Sequence, residues 1–262
     1  KKSIKINPDY PQAYNNLGIA LQKLNKTEVA IENYKKSIEL KENFAQAYHN
    51  LGNAYIDLDK PKNSLQHFNK ALEIDPLYAE AYNGLGAANE KLEKKNDALK
   101  YYKKAIEIKP KYSEAYYNLG TLLSSQSNYD EAIAYLEKAI KLNSDYEKAY
   151  NNLGNIFNIL GMFDEANDMY QQAVKIKPNY AKAYSNLLFN LTYKPNFDIN
   201  YYLSEAKKFR LNCSEKQKLK INYKYEINPK KIKVGFISAD FGNHPGGYFT
   251  LNFLKELKKK NC

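Results

Sequence analysis

The sequence predicts an all-α superhelical solenoid of stacked helical hairpins, followed by the truncated start of a Rossmann-like α/β region. Three observations predict it. A string of the form Ala-Tyr-x-x-Leu returns every 34 residues. The apolar positions within each unit follow helix spacing. After residue 231 a strand-like run, a glycine-rich loop and an amphipathic stretch succeed one another.

The repeat is read directly. AYNNLG around Tyr14 returns as AYHNLG at Tyr48, AYNGLG at Tyr82, AYYNLG at Tyr116, AYNNLG at Tyr150 and AYSNLL at Tyr184, with no insertion or deletion. The second half of each unit repeats as well. Ala30, Ser64, Ala98, Ala132 and Ala166 hold one small position, Tyr34, Phe68, Tyr102, Leu136 and Tyr170 follow four residues on, and Ser37, Ala71, Ala105, Ala139 and Ala173 hold a second small position.

These spacings describe two helices per unit. Tyr14, Leu17, Gly18 and Leu21 share one face of a helix A; Ala30, Tyr34, Ser37 and Ile38 share one face of a helix B. Gly18, Gly52, Gly86, Gly120 and Gly154 fall in helix interiors, where glycine costs about 1 kcal/mol against alanine. A cost met at every repeat implies a close crossing that a Cβ would obstruct. Helix B ends where Pro8, Pro76, Pro110 or Pro178 prevents continuation. No unit buries its apolar face alone, so neighbours must stack.

These residues resemble the tetratricopeptide-repeat (TPR) family: aromatic-x-x-Leu-Gly early, Ala-x-x-x-aromatic in the middle, proline at the close. The domain reading follows. Residues 1–10 match the tail of a preceding repeat, with Ser3 at the small position and Pro8 at the close. Residues 11–193 hold five full repeats and one half repeat, the regular pattern ending where Leu188 replaces the glycine. Residues 194–230 read as a connector with one helix, capped by Asp198 and running to about Leu211, and residues 231–262 as the truncated start of another domain.

Composition narrows the function classes. Of 262 residues, 44% are hydrophobic and 26% charged, which suits a folded protein. No apolar run approaches the roughly 20 residues of a membrane helix, so no membrane partner is expected. The net charge is +11, and Arg210 is the sole arginine. Residues 1–190 carry 25 basic and 23 acidic residues; residues 191–262 carry 15 and 6. A nucleic-acid binder of this architecture needs a basic stripe along its repeats, and the near-neutral repeats argue against one. The basic end reads as a lysine-rich solvated linker. Cys213 and Cys262 belong to no CxxC or Cys/His cluster, so a reduced cytoplasmic protein without a metal site is expected.

In a TPR array the A helices line the concave face. Asn16, Asn50, Asn118, Asn152 and Asn186 all precede the Leu-Gly position there, with Gly84 breaking the series and Asn53 and Asn155 one turn on. A side-chain amide offers an acceptor and donors together, so a ladder of amides suits an extended polypeptide held by its main chain. The other reading is that asparagine is common at this position and abundant in this composition. A pocket for a terminal carboxylate needs a basic cluster on the A helices, and the row at 12, 46, 80, 114, 148 and 182 supplies only Lys148 and Lys182.

Beyond the repeats, residues 231–237 read as a strand, 238–247 as a loop and 248–260 as an amphipathic helix. The loop does not match GxGxxG, so no dinucleotide site follows. The run Val234-Gly235-Phe236-Ile237-Ser238-Ala239-Asp240-Phe241-Gly242-Asn243-His244-Pro245 is similar to the start of the catalytic region in the protein O-linked N-acetylglucosamine transferase and SPINDLY family, and residues 189–195 with the following helix look like the connector of bacterial members. That resemblance implies a glycosyltransferase B type, metal-independent, inverting enzyme. It would move a sugar, N-acetylglucosamine from UDP-N-acetylglucosamine or a fucose in SPINDLY-like relatives, to Ser or Thr hydroxyls. No cofactor is implied. His244 matches the family's active-site histidine and would accept the hydroxyl proton or position the acceptor or sugar, with Asp240, Asn243 and Pro245 on the same loop. The donor pocket of the family lies mainly in a second lobe, so these residues alone are expected to be inactive. A single strand without a sheet should dock on the last repeat or be poorly ordered.

His49 and His67 fall within repeats and read as structural. Asp57-Leu58-Asp59 spells a metal-binding DxD and Asp240-Phe241-Gly242 a kinase DFG, but neither has its companions. Two functions therefore stand. One is a fragment of a protein O-glycosyltransferase whose repeats recruit acceptor proteins as extended polypeptide. The alternative is a non-enzymatic TPR scaffold for protein partners.

Overall fold

A computed structural model describes residues 7–193 and 198–213. The chain divides into a unit Lys1–Glu215 and a unit Lys216–Cys262, and every described residue lies in the first. The preceding-repeat tail at 1–6, the loop 194–197, the linker from 214 and the strand, loop and helix expected at 231–262 lie outside the described residues.

The described residues are helical and contain no strand. The helices are α1 (Pro11–Lys23), α2 (Thr27–Leu40), α3 (Ala45–Asp57), α4 (Pro61–Ile74), α5 (Ala79–Lys91), α6 (Lys95–Ile108), α7 (Ser113–Ser125), α8 (Tyr129–Leu142), α9 (Glu147–Ile159), α10 (Phe163–Ile176), α11 (Ala181–Leu191) and α12 (Ile199–Cys213). Odd-numbered helices are the A helices, and the even-numbered ones from α2 to α10 are the B helices. Asp198 accepts hydrogen bonds from the Asn200 and Tyr201 N–H groups, at 2.9 and 3.2 Å, and so caps α12.

The A-to-B turn has one geometry throughout. It places Asn25, Asp59, Glu93, Ser127 and Gly161 in the left-handed region, with φ from 54° to 76°. The next N–H reaches back five residues, as in Lys26 to the Leu21 carbonyl at 3.0 Å and Met162 to Phe157 at 2.8 Å. This satisfies carbonyls that the helix end would orphan. Only the last copy uses glycine.

Packing explains the interior glycines. A Cβ on Gly18, Gly52, Gly86 or Gly154 would lie 2.4–2.7 Å from a ring carbon of Tyr34, Phe68, Tyr102 or Tyr170 on the partner B helix. The rings are buried between small residues: both small rows, including Ser37 and Ser64, are fully enclosed. The serine hydroxyls donate to the Pro11 and Pro61 carbonyls at 2.8 and 2.7 Å, so neither is left unsatisfied.

Each A helix packs on its own B helix, each B helix on the next A helix, and each A helix also touches the next A helix. Successive B helices share no contact. Helices drawn together on the A side and parted on the B side curve toward the A side, which makes the A helices the inner face. α12 packs on α11 less extensively than the B helices pack on theirs, and Leu188 stands on α11 where the other A helices have glycine.

Candidate polypeptide-binding face

On the inner face the asparagines clamp one repeat to the next. Asn50 Nδ2 donates to Asn15 Oδ1, Asn118 Nδ2 to Asn83 Oδ1 and Asn186 Nδ2 to Asn151 Oδ1, each at 2.9 Å. Asn186 also donates to Asn155 Oδ1 at 2.9 Å, whose oxygen accepts from the Tyr170 hydroxyl. Asn152 turns instead to Thr121 Oγ1, 3.0 Å away. Asn16, on the first A helix, is exposed. The amides are therefore already bonded: one N–H of Asn118 and both of Asn186 are engaged. Among the described residues nothing donates to the carbonyl oxygens of these two. Asn152 Oδ1 accepts from Asn151 Nδ2 at 3.4 Å, so the open acceptors of the row are those of Asn118 and Asn186.

Gly84 leaves no hole. The Phe68 ring fills the space, and a Cβ on Gly84 would lie 2.4 Å from it. Phe68 is thus held between Gly52 and Gly84. His49, one repeat earlier, packs at a tilt against Phe68 and Tyr78, at 5.8 and 5.2 Å between centroids. Its ring nitrogen lies 3.2 Å from Asn53 Nδ2. Burial pushes its pKa down, against a smaller opposing effect of Glu80.

A second row runs along the rim, where each A helix begins. Phe44, Tyr78, Tyr112, Tyr146 and Tyr180 each precede an A helix by one residue. Lysines of the chain cover three of these rings: Lys41 over Phe44, Lys109 over Tyr112 and Lys177 over Tyr180, at 4.9–5.5 Å. Lys109 also pairs with Glu80 at 2.5 Å and Lys177 with Glu147 at 3.1 Å.

Comparison with known proteins settles the family. Models described as tetratricopeptide repeat match residues 43–111 and 112–179, and others described as TPR repeat and tetratricopeptide repeat match 21–59 and 1–32. The chain belongs to the tetratricopeptide-repeat family. Among solved structures, the TPR array is similar to a crystal structure of MamA, with 30% identity, a TM-score of 0.51, and 63% of this chain and 96% of that one covered. It is similar to a thermophilic TPR protein of Thermus thermophilus, with 20% identity, a TM-score of 0.63 and coverage of 70% and 99%. It also resembles the APC/C hetero-tetramer Cut9-Hcn1, with 17% identity, a TM-score of 0.71 and coverage of 79% and 41%. The last two show the fold alone. No curated protein matches.

Of the residues expected from sequence, Asn50, Asn118, Asn152 and Asn186 lie together along the inner face of the TPR array. His244, Asp240, Asn243 and Pro245 lie outside the described residues. The DxD string is structural: Asp57 accepts from Gln22 Nε2 at 2.6 Å and Asp59 pairs with Lys91 at 2.7 Å, both between repeats. Among the described residues no group of three or more His, Cys, Asp or Glu could hold a metal, and no helix is long and apolar enough to cross a membrane. Sequence reasoning missed Asn15, Asn83 and Asn151 as clamp partners and the rim of rings and lysines. Each could have been found from its spacing, since Asn15, Asn83 and Asn151, like Lys41, Lys109 and Lys177, recur every second repeat.

Proposed function

We propose that this TPR array is a protein–protein interaction scaffold that holds an extended polypeptide along its inner face. The observation that carries the reading is the pair of half-buried asparagines Asn118 and Asn186, whose amides donate across the repeat boundary and whose oxygens accept nothing among the described residues. Oxygens fixed this way are preorganised to accept from main-chain N–H groups, so a ligand is held without much regard to its side chains. The test is a fluorescence titration of the chain with an unstructured peptide and with the same peptide N-methylated at alternate residues. Loss of about tenfold in affinity on methylation, roughly the effect of a few lost hydrogen bonds, is the expected result. Equal affinities would overturn the main-chain reading.

A second reading rests on the run from Val234 to Pro245. Its similarity to the catalytic start of the protein O-linked N-acetylglucosamine transferase and SPINDLY family supports a parent protein in which the array delivers its polypeptide to a sugar-transfer region. The substrate would be UDP-N-acetylglucosamine or another nucleotide sugar, and His244 the group at the acceptor hydroxyl, with Asp240, Asn243 and Pro245 shaping the loop. In the full-length parent, His244→Ala should abolish sugar transfer and leave peptide affinity unchanged. Undiminished turnover in that variant removes this reading and leaves the scaffold.

A further inference from the structure

The rim carries one position where a recurring arrangement is incomplete. In the third repeat, Glu80 at the start of α5 pairs with Lys109, and Lys109 lies 4.9 Å over the Tyr112 ring. In the fifth repeat, Glu147 at the start of α9 pairs with Lys177, which lies 5.5 Å over Tyr180. Carboxylate, ammonium and ring recur, with the carboxylate one residue earlier in the second case. The repeat between them keeps two of the three parts. Glu114 stands 34 residues after Glu80, and Tyr146 stands 34 after Tyr112, but the position of Lys109 is taken by Asn143. Asn143 is turned back on its own turn, where Oδ1 accepts from the Asp145 N–H at 3.2 Å.

We propose that Glu114 and the Tyr146 ring form an open seat for a lysine or arginine side chain of a bound polypeptide, the cation that Lys109 and Lys177 supply from within the chain in the flanking repeats. The proposal rests on the polypeptide-binding reading above. Three further observations support it. Glu114 is exposed and, among the described residues, pairs with no lysine. Its one hydrogen bond there is a long one, 3.5 Å, from the Tyr112 hydroxyl. Tyr117 packs against Tyr146 with 4.8 Å between centroids and fixes the ring in place. Burial and then the Glu114 carboxylate push the Tyr146 phenol pKa up. Tyr78 is not a second such seat. Asp75 occupies its lysine position and Gln46 its carboxylate position.

The seat is tested with two peptides that differ only in one residue, lysine or norleucine, which keeps the aliphatic stem and removes the charge. The lysine peptide should bind the full chain about five- to tenfold more tightly at low salt, the scale of a cation held by one ring and one carboxylate. Glu114→Gln should lose part of that preference. Asn143→Lys should lose all of it by filling the seat from within, and it should fold normally because Lys41, Lys109 and Lys177 occupy the same position elsewhere. Equal binding of the two peptides to the unaltered chain, or an undiminished preference in Asn143→Lys, would overturn the proposal. If neither peptide binds at all, the scaffold reading fails first. The seat is then decided by titrating N-acetyl-lysine methylamide and its norleucine counterpart while following the Tyr146 ring by NMR. A shift with lysine only, absent in Asn143→Lys, keeps the seat; the same response to both compounds, or none, removes it.

Discussion

Asn118 donates its side-chain amide to Asn83 Oδ1 at 2.9 Å, joining residues 35 apart in sequence across a repeat boundary. Asn83 is 6% exposed, so the oxygen that receives this bond has little water to fall back on. The same bond is made by Asn50 with Asn15 and by Asn186 with Asn151. The row is a set of staples between repeats as well as a surface.

Removing a staple should therefore cost stability. Asn118→Ala is expected to destabilise the array by about 1–2 kcal/mol, the cost of leaving a buried acceptor unpaired. Asn16→Ala, on an exposed residue of the first A helix, should change it by less than about 0.5 kcal/mol. Urea unfolding of both variants decides the matter, and equal effects would show that the amides contribute nothing between repeats.

The pairing of Phe68 with Gly84 gives a second expectation. Gly84→Asn restores the regular row in sequence but drives a side chain into the Phe68 ring, so it should destabilise by at least about 2 kcal/mol. Phe68→Leu imitates the fourth repeat, where Leu136 precedes Asn152. In that background the Gly84→Asn penalty should shrink by about 1 kcal/mol or more, since contacting sites are non-additive. A double-mutant cycle measured by chemical denaturation reads this coupling, and strict additivity would refute it.

Acid should weaken the array through its two repeat histidines. Burial holds His49 and His67 below the ordinary histidine value of 6.5, with Lys35 adding to the effect at His67 and Glu80 opposing it at His49. Below that value the unfolded chain binds protons that the folded chain refuses. The stability is thus intact above about pH 6.5 and declines as pH falls toward the depressed native values. His49→Asn copies Asn15, Asn83 and Asn151, and His67→Tyr copies Tyr101 and Tyr135. Thermal unfolding of the double variant across this range should lose less stability than the unaltered chain. Parallel pH curves for the two would count against the assignment.

Much of this was legible in the sequence, and the reasons are physical. Helices and turns follow from local spacing, and an uninterrupted 34-residue register fixes which helix meets which. The interior glycines announced a close crossing, because a destabilising residue met at every repeat needs a compensating contact. The direction of the amides was not legible. Whether Asn118 faces a ligand or Asn83 depends on the offset between neighbouring A helices, which the repeat length does not state. The packing at Gly84 was not legible for a similar reason: the Phe68 ring reaches forward into the next repeat, and no spacing rule gives a rotamer. The rim was missed because its lysines and rings belong to the inter-repeat turn, where helix periodicity carries no information.

Among the described residues every helix–helix contact joins a helix to the one after it or the one beyond that. Among the described residues no long-range closure joins the first helix to the last, so there is no single interior whose breach would release everything at once. Heat or denaturant should peel hairpins from the extremities inward, and the middle turns would be the last to surrender their amide protons.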